Sequence, residues 1–202
     1  MRIRTLTLAT ALAALGALVV PELVAAQDLH PSRRPSPLGM ARITLDDGTY
    51  VRVVYSRPYK RNRDNIFGTK ESEALVPYGE RWRTGANEAS EITVTGDVTV
   101  AGKPLPAGTY SLFTTPDADS WKIHFNSQLG LDGTGHFDAK AMKFTPADLP
   151  PTDVLVIDAK PTTLAEDDEV DQLTISFDDT DAGADLVLRW IRTEVRVPIA
   201  AD

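Results

Sequence analysis

Between Ile43 and Ile199 the apolar residues of this chain recur with a period of two, and turn formers interrupt the runs at intervals of roughly 8–12 residues. Ile43 and Leu45 alternate with Arg42 and Thr44. Trp121, Ile123 and Phe125 alternate with Lys122, His124 and Asn126. Leu173, Ile175 and Phe177 alternate with Gln172, Thr174 and Ser176, and Val195, Val197 and Ile199 close the chain in the same way. A strand sends successive side chains to opposite faces, so each run has one apolar face that must be covered by another layer. Asp46-Asp47-Gly48, Thr95-Gly96-Asp97 and Pro106-Ala107-Gly108 supply the turns. No window sustains the 3.6-residue period of a long amphipathic helix. The pattern predicts an all-β fold of about nine or ten strands: a single antiparallel β-sandwich, jelly-roll-like, over residues 38–202.

What precedes the sandwich is of two kinds. Residues 1–26 have Arg2 and Arg4, an apolar run from Leu6 to Val20, and small residues at Val24-Ala25-Ala26. That is the pattern of a cleavable signal peptide, with cleavage expected after Ala26. The run is shorter than the ~20 residues needed to span a bilayer, and no later stretch reaches that length. Export to the periplasm or the medium is the expected location. Residues 27–37 form a Pro-rich lead-in arm, His30-Pro31-Ser32-Arg33-Arg34-Pro35-Ser36-Pro37. Without Cys the chain has no disulfide, zinc-thiolate site or Cys nucleophile. The 176 residues after the leader are enough to bury a core unaided.

Charge excludes one class and singles out one segment. The net charge of -8 argues against a nucleic-acid partner. Its distribution is uneven: residues 27–103 hold 12 basic and 10 acidic side chains, and residues 104–202 hold 7 and 18. A cationic segment from Arg57 to Arg63 thus sits in an acidic body. It opens one of two stretches that break the strand pattern, Arg57–Asn87 and Ser127–Leu149; long loops on a rigid scaffold are often functional.

The first stretch begins at Tyr55-Ser56-Arg57-Pro58 and ends in Val76-Pro77-Tyr78-Gly79-Glu80-Arg81-Trp82-Arg83-Thr84-Gly85-Ala86-Asn87. Pro106-Ala107-Gly108-Thr109-Tyr110-Ser111-Leu112-Phe113 follows further on. In these three motifs the chain resembles the exported bacterial proteins grouped as domain-of-unknown-function family 2911, over roughly Ser36 to Ile199. The resemblance implies an exported, all-β protein and no assigned activity. The chain departs from the family pattern in lacking a Gly between Tyr59 and Asn65 and in an apparent insertion at Thr69–Ala74.

Physical chemistry singles out candidate ligand-binding residues in the same stretch. Arg57, Arg63 and Arg83 offer planar forks for carboxylate, phosphate or sulfate. Tyr55 and Trp82 offer flat faces for stacking, and Asn87 a donor and an acceptor. Together they predict a pocket for a small anionic or polyhydroxyl ligand, a glycan included. Two alternatives stay open. An extracytoplasmic hydrolase or lyase would use Tyr55 and His124 as acid and base, with Arg83 stabilising charge. A structural envelope protein would use the same residues only to knit the loop: Arg83 paired with Glu80 or Glu88, Asn87 capping a turn, Trp82 plugging the core. No metal site or cofactor is expected. His136 with Asp138 is too small a ligand set, the acidic run Glu166–Asp171 lacks the spacing of a calcium loop, and no phosphate-binding glycine motif occurs. Trp121, Phe125, Phe177 and Trp190 read as core, and nothing in the residues fixes an oligomeric state.

Overall fold

The computed structural model describes residues 29–63 and 65–202; the expected leader, residues 1–26, lies outside the described residues. In chain order the strands are β1 (Leu38–Thr44), β2 (Tyr50–Ser56), β3 (Phe67–Gly68), β4 (Val76–Pro77), β5 (Ser90–Val94), β6 (Val98–Val100), β7 (Lys103–Leu105) and β8 (Gly108–Thr115). They continue with β9 (Trp121–Asn126), β10 (Gly135–Asp138), β11 (Lys143–Pro146), β12 (Asp153–Ala159), β13 (Pro161–Thr163), β14 (Val170–Thr180), β15 (Gly183–Ile191) and β16 (Thr193–Ala201). The number exceeds expectation because each long stretch carries a short pair of its own, parallel β3–β4 and antiparallel β10–β11, and because β7 and β13 are strands of three residues. Strands of two to four residues are too short to display a period.

The first sheet runs β1-β2-β5-β8-β9-β12 and the second β14-β15-β16-β6-β7, with β13 also on β16. All pairings within the two sheets are antiparallel. The chain swaps sheets where the β6–β7 hairpin leaves the first to extend the second, and again between β12 and β13. Alternation decides which residues meet. Val51, Val53 and Tyr55 of β2 and Trp121, Ile123 and Phe125 of β9 point inward. They share one core with Leu173 and Ile175 of β14, Leu186, Leu188 and Trp190 of β15, and Val195, Val197 and Ile199 of β16. The stretch Ser127–Leu149 folds over the outer face of the first sheet, where Leu131 and Leu149 pack on Phe113 and Ala89.

One edge of the second sheet is closed by the segment leaving β2. Strand β14 ends the sheet, so Asp171, Leu173 and Ile175 turn backbone groups away from β15. Each finds a partner in residues 55–60. The Tyr55 hydroxyl accepts from the Ile175 N–H at 2.7 Å and donates to its carbonyl at 3.2 Å. The Arg57 Nε donates to the Leu173 carbonyl, and the Leu173 N–H donates to the Pro58 carbonyl at 2.9 Å. The Lys60 N–H donates to the Asp171 carbonyl. An open edge would otherwise present unpaired groups to other chains.

Tyr55→Phe removes both bonds to Ile175 at once. Chemical denaturation is expected to show a loss of roughly 1–3 kcal/mol with unchanged sheet content by circular dichroism; an unshifted midpoint would show that the edge does not depend on this hydroxyl.

Candidate functional site

A cavity of about 370 Å³ lies where the two halves of the Arg57–Asn87 stretch face each other. Arg61 and Arg63 come from the half before β3, Arg83 from the half after β4, and among the described residues no Asp or Glu lines it. Trp82 and Trp190 form its aromatic wall, and Tyr59 and Leu75 stand at its rim. Pro35 and Ser36 of the arm complete one side. The arm is held there by Arg34, which pairs with Glu88 at 2.8 Å, and by the Arg57 N–H donating to the Pro37 carbonyl.

Local pairing sets each group. Trp82 exchanges two backbone hydrogen bonds with Thr114 of β8, at 2.7 and 2.9 Å, which pins the segment to the first sheet. Its Nε1 donates to the Gly85 carbonyl at 3.0 Å. The Trp82 ring stacks on Trp190 with centroids 5.9 Å apart and planes 18° from parallel. Phe67 stands edge-on to both and to Trp121, an arrangement favoured by the ring quadrupoles. Backbone strain gathers here. Arg61 (φ 53°), Thr84 (φ 53°) and Ile191 (φ 50°) occupy the left-handed region, and two of them are β-branched. Buried Thr84 is held by the Ser90 hydroxyl on its carbonyl and by Thr114. Such conformations persist only where the surroundings impose them.

The arginines are under-satisfied. The Nε atoms of Arg63 and Arg83 are buried with no hydrogen-bond partner among the described residues. Burial pulls the Arg83 guanidinium below its ordinary pKa. Neither expected carboxylate reaches it: Glu80 pairs with Lys70 and Glu88 with Arg34. From the other long stretch Gly133 presses on it, since a Cβ there would lie 2.7 Å from an Arg83 Nη. A buried unpaired donor costs stability, and its retention points to a ligand that completes it.

The six ligand candidates therefore divide. Arg63, Trp82 and Arg83 share the cavity. Tyr55 is buried between the sheets on Ile175, and Arg57 is committed to Leu173 and to the Thr174 hydroxyl at 3.0 Å; both serve the β14 edge. Asn87, at φ 58°, donates to the Ser56 hydroxyl at 3.1 Å and ties the end of the loop to β2. Tyr59, Arg61 and Trp190 are the members that sequence reasoning missed. Trp190 had one signal: it is the last inward residue of β15, where the core ends and a cavity begins.

His124 lies elsewhere. It alternates to the outer face of β9, opposite Tyr55, so the two do not meet as an acid–base pair. It is buried in a polar cluster. Arg81 grips Asp153 with two bonds, 3.0 and 2.7 Å; His124 Nδ1 lies 3.0 Å from Arg81 and 3.1 Å from Asp153; Thr115 is 3.0 Å from Nε2. Asn126 donates to Asp153 at 2.8 Å. Burial, then the Arg81 charge, push the imidazole below its ordinary 6.5. For Asp153 burial pushes upward, but the bonds from Arg81 and Asn126 prevail and its carboxyl is held below the usual range. Asp138, beside His136, caps the β10–β11 turn through the Lys140 and Ala141 N–H groups. Among the described residues no three His, Asp or Glu side chains converge as a metal site requires, and no helix is long and apolar enough to cross a membrane.

A family model described as a protein of unknown function (DUF2911) matches residues 36–199. No curated protein and no solved structure matches the chain.

Asp153→Asn leaves the buried Arg81 charge without its counter-ion and is expected to cost about 3 kcal/mol in an unfolding titration. Because folding lowers the His124 pKa, the unfolded chain binds more protons there below pH 6.5, so stability falls as pH drops through that value; the Asp153 contribution is lost only below about pH 3.8. Thermal melts from pH 7 to 5 should show a declining Tm that His124→Gln flattens.

Proposed function

The chain belongs to the DUF2911 family of proteins of unknown function, and on that premise we propose that it is a binding module whose ligand is an anion held by Arg61, Arg63 and Arg83. The observation that carries this reading is the pair of buried Nε atoms on Arg63 and Arg83 that find no partner among the described residues, in a cavity that no described carboxylate lines. A guanidinium in apolar surroundings donates to oxyanions through charge-assisted bonds, stronger than they would be in water. The cavity volume falls within the range of small-molecule sites. Trp82 and Trp190 exclude water on one side, and the strained Thr84 holds Arg83 in place before a ligand arrives. The leader-like residues 1–26 support a site that works outside the cytoplasm, on an exported chain. A binding role is favoured over a catalytic one because, among the described residues, no acid–base pair faces the arginines across the cavity.

Arg83→Met tests this in two independent ways. Saturable Trp fluorescence changes with sulfate, pyrophosphate or citrate are expected for the unmodified protein and should weaken about tenfold or more in the variant. Its unfolding midpoint should hold or rise, since an uncompensated buried charge is removed. A structural arginine would give the opposite pair of results: intact binding and a large loss of stability.

A further inference from the structure

We infer that the ligand is an amphipathic organic anion, one oxyanion head on an apolar or aromatic body, rather than a bare inorganic anion or a sugar acid; this rests on the anion reading above. Three observations carry it. The first is the wall. Beyond the arginines the cavity is lined by Pro58, Leu75, Val76, Trp82, Ala86 and Trp190, so apolar and aromatic side chains share it with the cations. The second is the rim. Leu75 and Tyr59 are 47% and 38% exposed, and they stand together at this opening. Apolar side chains grouped at the mouth of a cationic cavity can be covered by a ligand body that reaches past the arginines.

The third is the shortage of acceptors. A polyhydroxyl ligand brings many O–H donors, each needing an oxygen to receive it. Among the described residues the lining has no carboxylate and no carboxamide. Four of its main-chain oxygens are already engaged: Pro58 accepts from the Leu173 N–H, Tyr59 from Arg63, Gly85 from Trp82 Nε1 and Arg83 from the Ser90 N–H. The charged groups of this lining are guanidinium donors, suited to a head group that accepts. A sugar acid would satisfy the arginines with its carboxylate and leave its hydroxyls unmatched.

Free aromatic acids and single-chain lipids share this chemistry, and a panel separates them. Equilibrium binding would compare 1-naphthalenesulfonate, octyl phosphate, sulfate, phosphate and glucuronate. At least one of the first two should bind at least tenfold tighter than any of the last three, and which one leads identifies the body as aromatic or acyl. Leu75→Ser and Tyr59→Ser, at exposed positions, should weaken the amphiphile about fivefold or more relative to sulfate and phosphate; an equal loss for all probes would count against the apolar body. Equal or tighter binding of sulfate, phosphate or glucuronate, lost in Arg83→Met, would overturn this inference and leave the anion reading intact. Binding of every probe unaffected by Arg83→Met, or no binding of any, would overturn both.

Discussion

Strand β14 has a neighbour on one side only, and the architecture depends on how its other side is served. A sandwich with that edge open would expose alternate N–H and carbonyl groups at Asp171, Leu173 and Ile175. The chain leaving β2 supplies a phenol, a guanidinium and then its own backbone in succession, and so joins the first sheet to the second without being a strand of either. The direction of that segment is thereby fixed. Past Lys60 the chain brings Arg61 and Arg63 to the cavity, opposite the Trp82–Arg83 segment pinned to β8. The cavity is what remains between two loops whose ends are both tied down.

Residues 81–83 show how different the surroundings of two nearby charges can be. Arg81 goes to the outer face of the first sheet, where Asp153, His124 and Asn126 surround it. Trp82 closes the end of the core. Arg83 returns toward the cavity, where no described carboxylate pairs with it. Two arginines two positions apart thus have opposite electrostatic fates. One is neutralised in a network that rigidifies the sheet, and the other is left as a standing cost that neighbouring strain helps to maintain.

Alternation made the sandwich legible, because period two is a property of each strand alone. Turn residues placed most strand ends for the same local reason. The candidate site was legible only in part. Arg63, Trp82 and Arg83 share the cavity, but Tyr55 and Arg57, with the same chemistry at similar spacing, serve the β14 edge 115 or more residues further along the chain. No local pattern distinguishes a guanidinium aimed at a backbone carbonyl from one aimed at a cavity. The Arg81 partner was hidden for the same reason: Asp153 lies 72 residues away and looks like an ordinary turn carboxylate. The burial of His124 on the outer face of β9 was not legible either, because the Ser127–Leu149 stretch that folds over that side of the sheet leaves no mark in the strand pattern.

On the anion reading, a cluster of three arginines inside a chain of net charge -8 would also shape the approach of a ligand. At low ionic strength the Debye length is long, and a distant anion would meet the repulsion of the whole acidic body; close to the mouth the arginines would dominate. Added salt shortens the Debye length and screens the far field before the near one. Capture would then be slow at low ionic strength and faster as salt is added, with release speeding up too, a trade of rapid encounter for discrimination at short range.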